Sequence, residues 1–167
     1  MPKYSVGTGS KITVRARSRL HDTTTVWDRV TGDVDAAAAT LETAGATARF
    51  AVDMTKFDAG DWLKNRKLRS DFDLERHPQA VFELVRVRDV ARQGDRFTAV
   101  ADGMLRWRGK EVPLTVKGSG TLDDQRIQAT GTFELDIRTL GLSAPRFLMF
   151  KVEDEVTIDV VVEGTAR

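Results

Sequence analysis

The stretch ATARFAVDM, residues 46–54, shows the pattern on which the fold prediction depends. Apolar side chains stand at every second position, and Thr47, Arg49 and Asp53 stand between them. The apolar members are Ala46, Ala48, Phe50, Val52 and Met54. Because successive side chains of a β-strand point to opposite faces of a sheet, this alternation predicts a half-buried strand with one apolar and one solvated face.

The same alternation recurs in further segments along the chain. These segments are KITVRARS, VWDRVTGDV, AVFELVRV, RFTAVADGMLRWRG, EVPLTVKG, RIQATGTFELDI and EVTIDVVVEG. In the second of them the pattern predicts that Val26, Val30 and Val34 point inward. Turn signals such as VTGD and RQGD stand between several of the segments. Strands of this kind assemble either as a sandwich of two sheets or as a closed barrel.

The predicted inward faces mix bulky residues with small ones. The small members are Ala46, Ala48, Ala99, Ala101, Gly103, Ala129 and Gly131. A barrel of eight strands is just wide enough to hold side chains or one small ligand. Two interpretations follow: an interior cavity, or a core in which large residues on facing strands fill the gaps.

One segment, AGDWLKNRKLRSDF, residues 59–72, reads clearly as a helix, with Asp58 or Asp61 available to accept from its first free amides. Pro78 bars a long continuation. We expect Trp62, Leu63 and Leu68 to lean inward. The cations of this helix are either a solvated face or contacts for a polar head group.

Two other segments have several interpretations. DVDAAAATLETAG, residues 33–45, fits the end of a strand followed by a helix, or a long strand broken by a turn. LGLSAPRFLMFKV, residues 140–152, is rich in apolar residues although proline and glycine oppose a regular strand. Such apolar density must be buried, so the segment is a plug of the barrel end, a dimer contact or a gate over a ligand.

Composition excludes several classes of protein. The chain has 167 residues, of which 41% are hydrophobic and 31% charged, as expected for a single domain over residues 1–167. A net charge of +1 provides no field that would attract nucleic acid. No cysteine is present for disulfides or thiolate sites. No apolar run of signal-peptide or membrane-span length occurs, so we expect a cytoplasmic protein without stable membrane insertion.

Catalytic motifs are poorly represented. His21 and Asp22 are adjacent, but neighbours in a strand diverge, and a turn explains them better. His77 precedes Pro78 and fits an extended connection from helix to strand. The two histidines lack metal-ligand spacing, and no nucleophile elbow, phosphate loop or dinucleotide fingerprint occurs. We therefore expect no enzyme, no cofactor and no metal, and an enzyme that uses His21 is the weakest hypothesis.

The central segment RKLRSDFDLERHPQAVFELVRV, residues 66–87, resembles the signature of the YceI-like family of lipocalin-like isoprenoid-binding proteins. The matching positions are Leu68, Arg69, Ser70, Phe72, Pro78 and Phe82. GMLRWRGKEVPLTV resembles the following hairpin of that family, and the resemblance extends from about Tyr4 to Gly164. It implies an all-β fold: an eight-stranded antiparallel lipocalin-like barrel with one short helix near a barrel end.

The resemblance also implies function. The barrel interior would bind, carry or store a long-chain amphiphile, such as a polyisoprenoid, an isoprenoid quinone or a fatty acyl compound, often in a homodimer. The predicted ligand-binding residues are Phe50, Val52, Trp62, Leu68, Phe82, Leu105, Trp107, Phe133, Phe147 and Phe150. Arg66 and Arg69 are predicted to contact the head group. The rival hypothesis is a ligand-free barrel that acts as an interaction or stress-response module.

Overall fold

The computed structural model describes residues 2–18, 22–37, 41, 45–142, 146–147 and 150–167, with side chains at all of these except 146–147 and 150–152. The strands are β1 (Lys3–Val6), β2 (Lys11–Ser18), β3 (Thr23–Trp27), β4 (Val30–Asp35), β5 (Thr47–Asp53), β6 (Phe57–Asp58), β7 (Gln79–Gln93), β8 (Arg96–Trp107), β9 (Lys110–Leu122), β10 (Arg126–Asp136), β11 (Arg146–Phe147) and β12 (Phe150–Ala166). The helix α1 spans Trp62–Asp71.

Antiparallel pairing closes the sheet into a barrel of eight strands. The ring runs in the order β1, β4, β5, β7, β8, β9, β10 and β12. It closes because β12 pairs with β1, where Tyr4 lies opposite Ala166. Closure leaves no unpaired sheet edge within this ring, and the predicted eight-stranded antiparallel barrel is confirmed.

Two long strands near the start of the chain are each divided into two parts: β1 and β2 form one, and β3 and β4 form the other. β1 and β2 both pair with β12 and are separated by Gly7–Ser10, while β3 and β4 are separated by Asp28 and Arg29. At the first interruption, the Ser10 hydroxyl donates to the Glu163 carbonyl and accepts from the Glu163 amide, at 3.2 and 2.9 Å. The alternation pattern did not predict β1, which is only four residues long.

These irregularities change which residues point inward. After the break at Asp28 and Arg29, Val30 and Val34 are buried as predicted, but before it Trp27 is buried at 4% exposure. The prediction that Val26 points inward is therefore wrong, since the break shifts the alternation by one residue. In β7 the register shifts between Leu84 and Arg86, so the inward positions change parity there.

Helix α1 forms where the sequence predicts it. Asp61 is its N-cap, with Oδ1 accepting from the Lys64 amide at 2.8 Å. The helix ends at Asp71, with Phe72 as its C-cap, before Pro78 and the start of β7. Within the described ranges, no helix has the length and apolar character needed to cross a membrane. Of the ambiguous segment 33–45, the strand part ends at Asp35, and residues 38–40 and 42–44 lie outside the described residues.

Buried apolar side chains form two clusters. The first, which we term the helix-end cluster, includes Trp27, Leu68, Phe72, Trp107 and Leu140. The second, the far-end cluster, includes Tyr4, Val6, Val34, Leu41 and Leu122. Ile12, Val52 and Val160 pack against both clusters. The interior between the two ends therefore remains apolar throughout.

Candidate functional site

The barrel interior contains a cavity of about 330 Å³. Its wall includes Phe72 and Trp107 of the helix-end cluster, and Val34 and Leu122 of the far-end cluster. Seven of the eight strands of the ring contribute, all except β1, and β2 and β3 add Ile12, Val14 and Trp27. The cavity follows the interior of the barrel between its two ends, as expected when side chains do not fill an eight-stranded barrel.

Small residues create this space on one part of the wall. The small residues of β8, β9 and β10 that line the cavity are Ala99, Ala101, Gly118, Ala129 and Gly131. Close approach of the strands requires the glycines: a Cβ atom at Gly131 would lie 2.7 Å from Cγ1 of Val116, and one at Gly118 would lie 2.8 Å from the Thr130 carbonyl oxygen. Of the two sequence interpretations, the structure therefore favours a cavity over a filled core.

Larger side chains define the rest of the wall. The rings of Phe50 and Phe82 stack across β5 and β7, with centroids 6.2 Å apart and planes 14° apart. Gly103 in β8 makes room for this pair, since a Cβ atom there would lie 2.1 Å from Cζ of Phe82. The two rings thus occupy the part of the interior that lies against Gly103.

The lining is chemically uniform. Among the described residues it contains no charged side chain, and its polar members are Ser119 and Thr130, which are exposed residues of β9 and β10. The two buried indoles keep their N–H groups out of the cavity: Trp27 donates to the Met54 carbonyl at 3.1 Å and Trp107 to the His77 carbonyl at 2.9 Å. Such a wall solvates an apolar chain well and offers no acid, base or nucleophile.

Six of the ten predicted ligand-binding residues line the cavity. They are Phe50, Val52, Phe82, Leu105, Trp107 and Phe133. Leu68 is buried at 5% exposure in the helix-end cluster but does not line the cavity. Phe147 pairs with Phe150 where β11 meets β12, and the side chains of both lie outside the described part of the structure.

The expected inward orientation of Trp62 and Leu63 is wrong. Their exposed fractions are 72% and 53%. The buried residues at this helix are instead Leu68 and the C-cap residue Phe72, which are four positions apart and share one face. Trp62 and Leu63 stand six and five positions before Leu68, so at 3.6 residues per turn they lie on other faces of the helix.

The predicted head-group cations lie outside the cavity wall. Nη1 of Arg69 is 2.9 Å from Oε1 of Glu75, and its guanidinium lies 5.2 Å from the ring centroid of Phe57. Arg66 is exposed on the outer face of α1. Neither arginine lines the cavity. Either one could contact a ligand only where that ligand extended out of the barrel.

Most of the distinctive central segment has a structural role. Nη1 of Arg108 donates to the Phe72 carbonyl at 2.6 Å, and the indole of Trp107 donates to the His77 carbonyl. Leu74, between these two anchored carbonyls, is completely buried. These contacts fix the connection from α1 to β7 against the hairpin of β8 and β9.

Several lining residues were not among the predicted site residues. Trp27, Met54, Phe72, Leu140 and Leu142 all line the cavity near the helix end. Met54 could have been predicted, since it is the last apolar residue in the alternation of residues 46–54. Leu140 and Leu142, at the start of segment 140–152, are buried at 2% and 5% exposure, and the plug, dimer-contact and gate interpretations of this segment stay predictions. Residues 143–145 and 148–149 lie outside the described residues.

Charged groups lie on the outer surface. The hydrogen bonds from Arg88 and Arg86 hold the pKa of the Asp102 carboxyl well below its usual range, and Thr115 donates to the same group. A hydrogen bond with Glu134 raises the pKa of Glu155. The described residues contain no group of three or more His, Asp or Glu side chains placed to hold a metal ion, and His21 lies outside them.

Comparisons with known proteins agree with this architecture. The family model described as "YceI-like domain" matches residues 7–164. The polyisoprenoid-binding domain from Saccharophagus degradans, implicated in plant cell wall breakdown, has 17% identity and a TM-score of 0.80, with 100% of each chain covered. BcnA of Burkholderia cenocepacia has 21% identity and a TM-score of 0.75, with 92% of this chain and 95% of that one covered.

A more distant structure has the same fold. The YCEI protein of Campylobacter jejuni has 11% identity and a TM-score of 0.66, with 86% of this chain and 84% of that one covered. No curated protein matches the sequence.

Proposed function

Because the chain belongs to the YceI-like family and its barrel encloses an apolar cavity, we propose that it binds, carries or stores a long-chain amphiphilic lipid, of the polyisoprenoid or isoprenoid-quinone type. The observation that carries the proposal is the cavity wall, which has no charged side chain among the described residues. Further support comes from the similar fold of a domain whose description is polyisoprenoid binding.

The physical basis is hydrophobic transfer. Each methylene that moves from water into such a cavity contributes about 0.8 kcal/mol, which is offset in part by the ordering of a flexible chain. A volume of about 330 Å³ lies at the lower end of the range, about 300–1,000 Å³, that is typical of small-molecule sites. A slender acyl or prenyl chain suits this interior better than a bulky polycyclic ligand. We infer binding and not catalysis.

Within this proposal the residues have different roles. Phe50, Phe82, Leu105 and Phe133 would contact the chain, and Trp107 would border it at the helix end. Arg69 is the better placed of the two head-group candidates, since it lies beside Phe57, which packs on the helix-end cluster. Trp62 and Leu68 are not proposed as cavity contacts.

The test is native mass spectrometry of the purified protein, followed by extraction and mass analysis of any released molecule. We expect a stoichiometric adduct of one long-chain compound, or uptake of an added isoprenoid quinone or fatty acid. Ala101→Phe should reduce uptake at least about tenfold, because the ring occupies cavity volume opposite Val87 and Val116. Arg69→Gln should weaken the binding of a fatty acid more than the binding of the corresponding neutral alcohol. Arg66→Gln is the matched control for this substitution.

A protein that stays at its bare mass and takes up neither probe would contradict the proposal and favour the ligand-free interaction module. Unchanged uptake by folded Ala101→Phe would remove that part of the wall from the site. Circular dichroism of each variant separates loss of binding from loss of fold.

A further inference from the structure

The outer face of α1 exposes large apolar side chains. Among the described residues, the exposed large hydrophobic ones are Trp62, Leu63 and Val85, at 72%, 53% and 66% exposure. Two of these three are adjacent in the first turn of the helix. Val85 stands alone at the irregularity of β7, so its exposure follows from the register shift there. The exposure of Trp62 and Leu63 has no such local explanation.

The same face of the helix is cationic. Residues three and four apart share a helix face, so Arg66 lies beside both Leu63 and Trp62. Arg66 and Ser70 are exposed like the two apolar residues, whereas Leu68 and Phe72 are buried on the other side. We call Trp62, Leu63, Arg66 and Ser70 the outer face of α1.

Within residues 61–71, no acidic residue belongs to the outer face of α1. The two acids of the segment lie at its ends: Asp61 caps the amide of Lys64, and Asp71 lies 3.1 Å from the ammonium of Lys67. The net charge of the whole chain is only +1, so any attraction to an anionic surface must come from this local arrangement.

We propose that the outer face of α1 docks on an anionic lipid bilayer. A tryptophan and a leucine suit the boundary between head groups and acyl chains, and an adjacent arginine suits anionic head groups. A second copy of this chain fits less well, because an isologous contact centred on this face would bring the two Arg66 side chains together.

Docking through α1 would assist the proposed lipid binding. Phe72, the C-cap residue of α1, lines the cavity, so the helix joins the outer face to the barrel end. A bilayer contact there would bring this end of the barrel to the source of a ligand that is sparingly soluble in water. The biological purpose rests on the proposed function, but bilayer docking itself is measured without any added ligand.

The test uses the full chain and vesicles of phosphatidylcholine with roughly one third phosphatidylglycerol, compared with phosphatidylcholine alone. Flotation measures the bound fraction. Tryptophan fluorescence reports the contact directly, because Trp27 and Trp107 are only 4% and 7% exposed and Trp62 therefore dominates aqueous quenching. We expect binding to the anionic vesicles, with a blue shift and protection from iodide.

Two variants and a control localise the contact. The double substitution Trp62→Ser, Leu63→Ser should reduce partitioning at least about tenfold, and both sites are too exposed to threaten folding. Arg66→Gln should weaken binding to anionic vesicles several-fold and leave neutral vesicles unchanged. Val85→Ser, which removes an equally exposed hydrophobic residue elsewhere, should have no effect.

Three results would overturn the inference: no binding of the wild type to anionic vesicles, equal binding by the double variant, or a self-association that the double variant abolishes while vesicles stay unbound. Uptake of an isoprenoid quinone and of a fatty acid, each added from ethanol with no vesicles present, is measured in parallel. Uptake without docking would refute only the inference, and docking without uptake would refute only the proposed function.

Discussion

Asp102 illustrates how single residues stabilise the outer surface of the barrel. Its Oδ2 accepts from Nε of Arg86 and of Arg88 at 2.7 and 2.8 Å, and its Oδ1 accepts from the Thr115 hydroxyl at 3.0 Å. The carboxyl thus joins side chains of β7 and β9 across β8. Two neighbouring arginines on β7 converge on it because the register shift between Leu84 and Arg86 changes the alternation there.

These contacts predict a pH dependence. The pKa of Asp102 is lower in the folded state than in the unfolded chain, so the carboxylate stabilises the fold above an ordinary pKa of about 3.9, and this stabilisation is lost as the pH falls toward the folded value. We expect Asp102→Asn to be less stable than wild type at pH 7, with a difference that narrows as the pH falls from about 5 to 2. Urea unfolding across this range measures it.

The matched control is Asp28→Asn, whose side chain is 63% exposed and pairs with its neighbour Arg29 at 3.5 Å. Such exposed pairs contribute little, so this variant should stay within about 0.5 kcal/mol of wild type. A gap between Asp102→Asn and wild type that is constant from pH 7 to 2 would contradict the electrostatic explanation.

At the scale of elements, alternation predicted the inward residues wherever a strand is regular. In β5, β8, β10 and β12 the inward residues are those that the two-residue pattern predicts. The errors lie at interruptions and at short strands: Val26 near the break after β3, and the unpredicted β1, β6 and β11. A break of two residues or a bulge is hardly visible in the sequence pattern. It nevertheless moves every later side chain of the strand to the opposite face of the sheet.

Glycines in paired strands also act at this scale. Gly120 of β9 lies opposite Phe97 of β8 and Ala129 of β10, and a Cβ atom there would be 2.0 Å from the Gln128 carbonyl oxygen. Gly120→Ala should therefore destabilise the protein by about 1–3 kcal/mol, because the two strands must move apart. Chemical unfolding monitored by circular dichroism measures this loss.

The control for this prediction is Gly7→Ala, where nothing lies within 4 Å of the added atom. That substitution should be neutral or stabilising by up to about 1 kcal/mol, since it restricts only the unfolded chain. Equal effects at the two glycines would mean that strand crowding is not the reason for Gly120.

For the whole molecule, closure is the decisive feature. β1 and β12, which lie near the two ends of the sequence, pair with each other and complete the ring. The ring makes residues from all parts of the chain depend on each other, and this supports the proposal that residues 1–167 form one domain. The homodimer and the cytoplasmic location stay predictions.

We therefore predict a single cooperative unfolding transition, with coincident near- and far-ultraviolet circular dichroism. A cavity ligand at a free concentration of about 100 times its Kd should stabilise the protein by about 2.7 kcal/mol, which raises Tm by roughly 5–10 °C at this size. Ala101→Phe should show no such shift with the same ligand. Two separate transitions would contradict the single domain, and equal shifts in both proteins would contradict binding in the barrel.

The sequence by itself determined the strand content, the position of α1, the family and most of the residues that face the interior. These properties depend on local periodicity, on a capping aspartate and on a recognisable central segment, all of which are readable within a few residues. The orientation of Trp62 and Leu63 was not readable in this way, because the buried face of a short helix depends on what it packs against.

Only the tertiary structure decided that the interior holds a cavity. Whether small residues such as Ala101 and Gly131 leave space depends on which side chains other strands place beside them, and strand order and register fix that choice. The sequence left both a filled core and a cavity open for this reason. The unfilled volume is a property of the closed ring, and no single strand contains it.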